Sequence, residues 1–193
     1  MRLVRLAAIA LLLLAAACGK DKSPWHATDI TGAMPALDFT LTRANDGKTA
    51  GAGDYRGKVT LLYFGYTHCP DICPTTLANL SDVLSKLGKR AGEVRVLFVT
   101  VDPNRDTPQI MKGYVQSFAP QIDGMRGTPD QLTALARRYR VAYSVTPDTP
   151  GHPYEVMHSN AVFVFDKNGR ARLVATATDD TSGMTADIER LLD

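Results

Sequence analysis

The chain has 193 residues, 22 Lys and Arg against 20 Asp and Glu, a formal charge of +2 and 45% hydrophobic residues. Arg2 and Arg5 account for the excess, and no basic cluster interleaved with aromatics occurs, so a nucleic-acid partner is not expected. The remainder matches one ordinary domain with a single core, without repeats or low-complexity tracts.

Residues 1–18 read as a leader rather than as fold. Arg2 and Arg5 form a basic start, and Leu6 to Ala17 is an unbroken apolar run ending in Ala15-Ala16-Ala17-Cys18-Gly19. The run falls short of the roughly 20 apolar residues that span a bilayer. The pattern is similar to a bacterial lipoprotein signal with Cys18 as the lipidated residue, although Ala15 stands where Leu is usual. A plain secretory signal cut near Ala17 is the alternative. The expectation is an exported chain, lipid-anchored on the periplasmic side of a bacterial membrane. Residues 19–36, with Pro24, Gly32 and Pro35, are expected to be a flexible linker, and 37–193 the domain.

Within 37–193, Phe39 to Thr42 reads as a strand, and Asn45-Asp46-Gly47-Lys48 as a tight turn. Val59 to Phe64 is an apolar run suited to a strand buried on both faces. After a loop over Gly65 to Cys73, Pro74 fits the first turn of a helix. Leu77, Leu80, Val83, Leu84 and Leu87 keep its apolar stripe, and Gly88 stops it. Val94 to Val101 is a second buried strand. Thr107-Pro108 and Thr128-Pro129 open two helices, to about Phe118 and Tyr139. Tyr143 to Met157 carries Pro147, Pro150, Gly151 and Pro153 and reads as an irregular excursion. Asn160 to Phe165 and Arg172 to Thr176 form a hairpin about Asp166-Lys167-Asn168-Gly169, and Ser182 to Leu192 closes the chain as a helix. Strands alternating with helices imply an α/β, thioredoxin-like fold, with a mixed central sheet, helices on both faces and an N-terminal hairpin extension.

The pair Cys69-Pro70-Asp71-Ile72-Cys73 lies between the first buried strand and its helix. A helix N-terminus favours thiolates, and residues four apart share a helix face. His158 immediately precedes the first strand of the terminal hairpin. If that strand pairs antiparallel with Val59–Phe64, its start lies beside the cysteine loop. Two thiolates and an imidazole favour copper or zinc. Three ligands are one short of a usual structural zinc site. A structural disulfide between Cys69 and Cys73, with His158 as an ordinary strand-edge histidine, stays open from the residues alone.

The stretch from Val59 to Pro74, VTLLYFGYTHCPDICP, resembles the central motif of the Sco (SenC/PrrC) proteins. Val99 to Pro108, VTVDPNRDTP, resembles their second motif, and Tyr154 to Ser159, YEVMHS, the segment with their copper-binding histidine. The similarity runs from Phe39 to Leu192. It implies a copper protein, handling Cu(I) or Cu(II), that serves cytochrome c oxidase assembly by metallation or thiol reduction at the binuclear copper site of subunit II. Cys69, Cys73 and His158 fall on the family's copper ligands. A periplasmic thiol reductant or copper donor is a further implied partner, because copper ligation needs reduced thiols. A thiol-disulfide oxidoreductase using Cys69 and Cys73 is the alternative, against which the CxxxC spacing stands. A peroxidase-like thiol activity is a more distant one.

Other residues have plainer readings. His68, next to Cys69, is expected to tune the loop rather than to ligate. Asp71 is expected to be a solvated charge at a helix start. Met157 is expected to pack in the core, opposite His158 on its strand. His26 and His152 should be exposed. Asp102, Arg105 and Asp106 should hold a loop and a helix start by capping and ion pairing.

Overall fold

The computed structural model describes residues 23–193. The leader expected over 1–18, including Cys18, lies outside the described residues. In chain order the elements are β1 (Thr28–Asp29), β2 (Thr40–Arg43), β3 (Thr49–Gly51), β4 (Val59–Gly65), α1 (Ile72–Leu87), β5 (Val94–Thr100), α2 (Pro108–Gln116), β6 (Ile122–Arg126), α3 (Pro129–Arg138), β7 (Tyr143–Thr146), β8 (Glu155–His158), β9 (Val162–Phe165), β10 (Ala171–Ala175) and α4 (Thr181–Leu192). Eight strands form one mixed sheet, ordered β1-β10-β9-β4-β5-β6-β2-β3, and β7 and β8 form a separate two-stranded ribbon.

The sheet is built on β4. All seven of its residues are buried, which is what a strand covered on both faces requires. It pairs parallel with β5 from Val59↔Val94 to Gly65↔Thr100, and antiparallel with β9 up to Tyr63↔Val162. On one face Tyr63 packs on Phe98, and Phe98 on Tyr114 of α2. The Tyr63 hydroxyl meets Cys73 of α1 there. On the other face Phe163 and Phe165 pack against Tyr139, which follows α3. Both faces are therefore covered, as the alternation of strands and helices implied. The α1 stripe of Leu77, Leu80, Val83, Leu84 and Leu87 is buried, each such side chain stabilising by about 1.5–3 kcal/mol.

Local signals set the helix starts. Thr107 and Thr128 cap α2 and α3, accepting from the N–H groups of Ile110 and Gln131 at 3.3 Å each. Pro108 and Pro129 follow them at the first helical position. Three features depart from the sequence expectation. β6 is a strand despite Asp123 and Gly124. Its buried Asp123 accepts from the Tyr55 hydroxyl at 3.0 Å, so a carboxylate sits inside a sheet whose local pattern hides it. The excursion over 143–157 holds the ordered β7–β8 ribbon, registered from Tyr143↔His158 to Thr146↔Glu155. The described part of the expected linker lies on the domain. β1 pairs with β10, Asp187 accepts from the N–H groups of His26 and Ala27, and the Trp25 ring lies 5.6 and 5.2 Å from the guanidinium groups of Arg172 and Arg190.

Candidate metal centre

The site lies where β4 ends, α1 begins and the β7–β8 ribbon returns. Gly65 closes β4. A side chain there would put its Cβ 2.7 Å from Cys73 Sγ and 2.6 Å from a Phe98 ring carbon. Only glycine lets the backbone approach the sulfur so closely. α1 begins at Ile72, two residues before Pro74, so Cys73 occupies its first turn and is fully buried. Cys69 sits in the loop ahead of the helix. The pair therefore does not converge by helical spacing. The loop folds back instead, and the Cys73 N–H donates to Cys69 Sγ at 3.4 Å.

His158 arrives at the end of β8. Its Nε2 lies 3.3 Å from Cys73 Sγ, and its Nδ1 lies 2.9 Å from the Ser159 carbonyl oxygen. A carbonyl only accepts, so Nδ1 carries the proton and the Nε2 lone pair faces the sulfurs. The ring stands edge-on to Tyr66 and Tyr63, with centroids 5.7 and 6.1 Å away. Cys69, Cys73 and His158 bring one ligand atom each to within 4.8 Å of one another. Burial holds His158 below the usual histidine range, so it stays neutral and able to donate its lone pair. Burial also pushes the Cys73 thiol up to about 12. A cation bound there would have to displace that proton, which a soft metal does at a thiol. Two sulfurs and one imidazole can hold copper and leave a coordination position open.

Asp106 is fully buried. It accepts from the Thr67 hydroxyl and the Thr100 hydroxyl, both at 2.6 Å, and from the Thr67 N–H at 3.1 Å. It thus fastens the cysteine loop, while Thr107 rather than Asp106 caps α2. Asp102 pairs with Arg105 at 2.5 Å. His68 points at Thr67 and Asp106, 3.0 and 3.6 Å away, and Asp71, His26 and His152 are exposed. Met157 is corrected. It does not enter the core but faces solvent, 60% exposed. With Ile72, 47% exposed, it borders a groove of about 470 Å³ onto which Cys69 and His158 open. Sequence reasoning missed Gly65, Thr67, Tyr66 and Tyr154. Gly65 alone carried a signal, a glycine ending a buried strand.

The SCO1/SenC family model matches residues 29–193. The mitochondrial SCO2 homolog of Bos taurus is 41% identical over 151 residues, covering 74% of this chain and 56% of that protein. The chain thus spans little more than half of that relative's length. The copper-bound structure of Bradyrhizobium japonicum ScoI is 38% identical, with a TM-score of 0.73 over 81% of this chain and 99% of that one. Copper-bound yeast Sco1 is 33% identical, with a TM-score of 0.72 over 81% of this chain and 88% of that one. The expected lipid-anchored, periplasmic location is corrected by these relatives, since the SCO2 proteins of Bos taurus, Mus musculus and Saccharomyces cerevisiae are mitochondrial. Among the described residues no helix is long and apolar enough to cross a membrane. With its sheet, its Cys-Cys-His cluster and 165 consecutive residues, 29 to 193, under one family model, the chain belongs to the SCO1/SenC family.

Proposed function

We propose that the protein binds one copper ion through Cys69, Cys73 and His158, for delivery to the binuclear copper site of cytochrome c oxidase subunit II. The observation that carries this reading is the convergence of three donor atoms within 4.8 Å. The copper-bound relatives support it, as does the description of the Sco family as cytochrome c oxidase assembly proteins. Both cysteines are free thiols, the state that copper ligation needs. A thiol reductant or a copper donor is therefore part of the proposal. The solvent-facing groove beside Cys69 gives a partner's ligand access to the ion, and an open coordination position lets that ligand enter before a sulfur leaves.

The reduced full chain, titrated with copper, should take up about one ion and develop a sulfur-to-copper charge-transfer band. Cys69→Ser, Cys73→Ser and His158→Ala should each weaken binding by more than about 100-fold, beyond the loss typical of outer residues. Unchanged affinity in all three removes the reading.

A second reading has its own support, the Cys73 N–H aimed at a half-exposed Cys69 sulfur. In it the Cys69 thiolate attacks a disulfide of subunit II. Cys73 then resolves the mixed disulfide, so a Cys69–Cys73 disulfide forms as the partner gains two electrons and two protons. His158→Ala would leave that exchange largely intact, whereas either cysteine change would abolish it.

A further inference from the structure

The ribbon that carries His158 is not hydrogen-bonded into the main sheet. Its pairing ends at His158↔Tyr143, and the chain rejoins the sheet only at Val162. Something else must hold the imidazole against the sulfurs. Apart from the Tyr143 hydroxyl, 3.0 Å from that of Thr133 on α3, the polar contacts that do so lead to one loop, residues 101–107 between β5 and α2. Asp102 accepts from the Tyr154 hydroxyl at 2.7 Å, one residue before β8 begins. The Arg105 guanidinium, paired with Asp102, lies 4.0 Å over the Tyr154 ring and 5.7 Å from that of Tyr66. Tyr66 in turn donates to the Val156 carbonyl at 3.4 Å. From the same loop Asp106 holds Thr67 of the cysteine arm, and the Asp106 N–H donates to the Asp102 carbonyl at 3.0 Å.

We propose that this loop is a bracket that sets the distance between the two halves of the copper site, and that Asp102 and Tyr154 are positioning residues for His158. The proposal rests on the copper reading above. Neither residue touches a sulfur or the imidazole in the contacts described. Their hydrogen bond joins a carboxylate buried to 1% exposure to the base of a ribbon that lies outside the main sheet, and such charge-assisted bonds are the stronger kind. Loss of the bond frees His158 to leave the cysteine pair while the core beneath Cys73 stays intact.

The test is Tyr154→Phe in the full chain, which removes one hydroxyl and keeps the ring under Arg105. Copper affinity, measured against a competing chelator, should fall by about 10- to 100-fold, the range for residues that orient metal ligands. The charge-transfer band should move toward that of His158→Ala, while thermal unfolding of the apo protein barely changes. Tyr154→Phe combined with His158→Ala should bind no more weakly than His158→Ala alone, because the bond acts only through the imidazole. Wild-type affinity and band in Tyr154→Phe, with His158→Ala impaired, overturn the bracket and leave the ligand assignment standing. An equal further loss in the double variant also overturns it. Wild-type binding by His158→Ala removes the ligand assignment, and the bracket with it.

Discussion

The two arms of the site are built by different means. The cysteine arm grows from the densest part of the core. β4 is buried at every position, β5 is buried at all but Arg95, and Cys73 lies beneath them with no exposed surface. The histidine arm is a two-stranded ribbon with alternating exposed residues, of which only Val156 is buried. Packing fixes Cys73 in the first arm, where apolar side chains admit one arrangement, and the buried Asp106 fastens the loop that carries Cys69. A few polar bonds fix the second. A metal carrier gains from that division: two donors stay rigid, and the third sits on an element that local opening can move at small cost.

The contrast can be broken most sharply from the core side. Phe98→Ala empties a fully buried position beside both Tyr63 and Gly65. It should cost about 3–5 kcal/mol in chemical denaturation, with copper lost in proportion to unfolding. A comparable change confined to copper affinity would mean that the cysteine arm does not depend on the core. Gly65→Ala is a smaller perturbation of the same arm. Its Cβ must displace a sulfur and an aromatic ring, so a destabilisation of about 1–3 kcal/mol is expected. Copper affinity should drop as well, because Cys73 is pushed off the pair. Retained affinity would show that the Cys73 sulfur has another place to go.

The smallest effects are those of pH on the reduced apo protein. His158 has its folded pKa lowered by burial. Its contribution is therefore complete above the unfolded value of about 6.5 and is lost as pH falls below it. Cys73 has its folded pKa raised to about 12. Its contribution is complete below the unfolded value of about 8.5 and is lost as pH rises toward 12. Unfolding curves across this range should show a shallow acid limb that disappears in His158→Ala and an alkaline limb that disappears in Cys73→Ser. Each limb is limited to about 1.4 kcal/mol per pH unit for one proton. An acid limb unchanged in His158→Ala would place the protonation elsewhere, at a group whose folded pKa is lowered, for example Asp166, where hydrogen bonds from Arg170 and Asn168 outweigh burial.

Much of this was legible in the chain. The buried strands β4 and β5, the α1 stripe, the Thr-Pro helix starts and the closing hairpin follow from short-range patterns. Each depends on side-chain period and on backbone preferences that a few residues carry themselves. The antiparallel pairing of β9 with β4 follows from topology, and it was enough to expect His158 near the cysteines. β6 was not legible because Asp123 breaks its apolar run, and the carboxylate becomes tolerable only when Tyr55, far away in sequence, donates to it. The β7–β8 ribbon was hidden by its prolines and glycine, and with it the exposure of Met157, whose apolar side chain reads as core.

The sequence by itself determined the donor types, the buried strand that ends beside them and the helix that follows the cysteine loop, since residue chemistry and local periodicity suffice for these. Only the tertiary structure decided that Cys69 reaches its partner through a folded-back loop, that His158 presents Nε2, and that Asp102 and Asp106 tie both arms to one loop. The last depends on hydrogen bonds between residues 39 to 52 positions apart, Thr67 with Asp106 and Tyr154 with Asp102. Such bonds leave no periodic trace in the chain, because their partners become neighbours only after the sheet has formed.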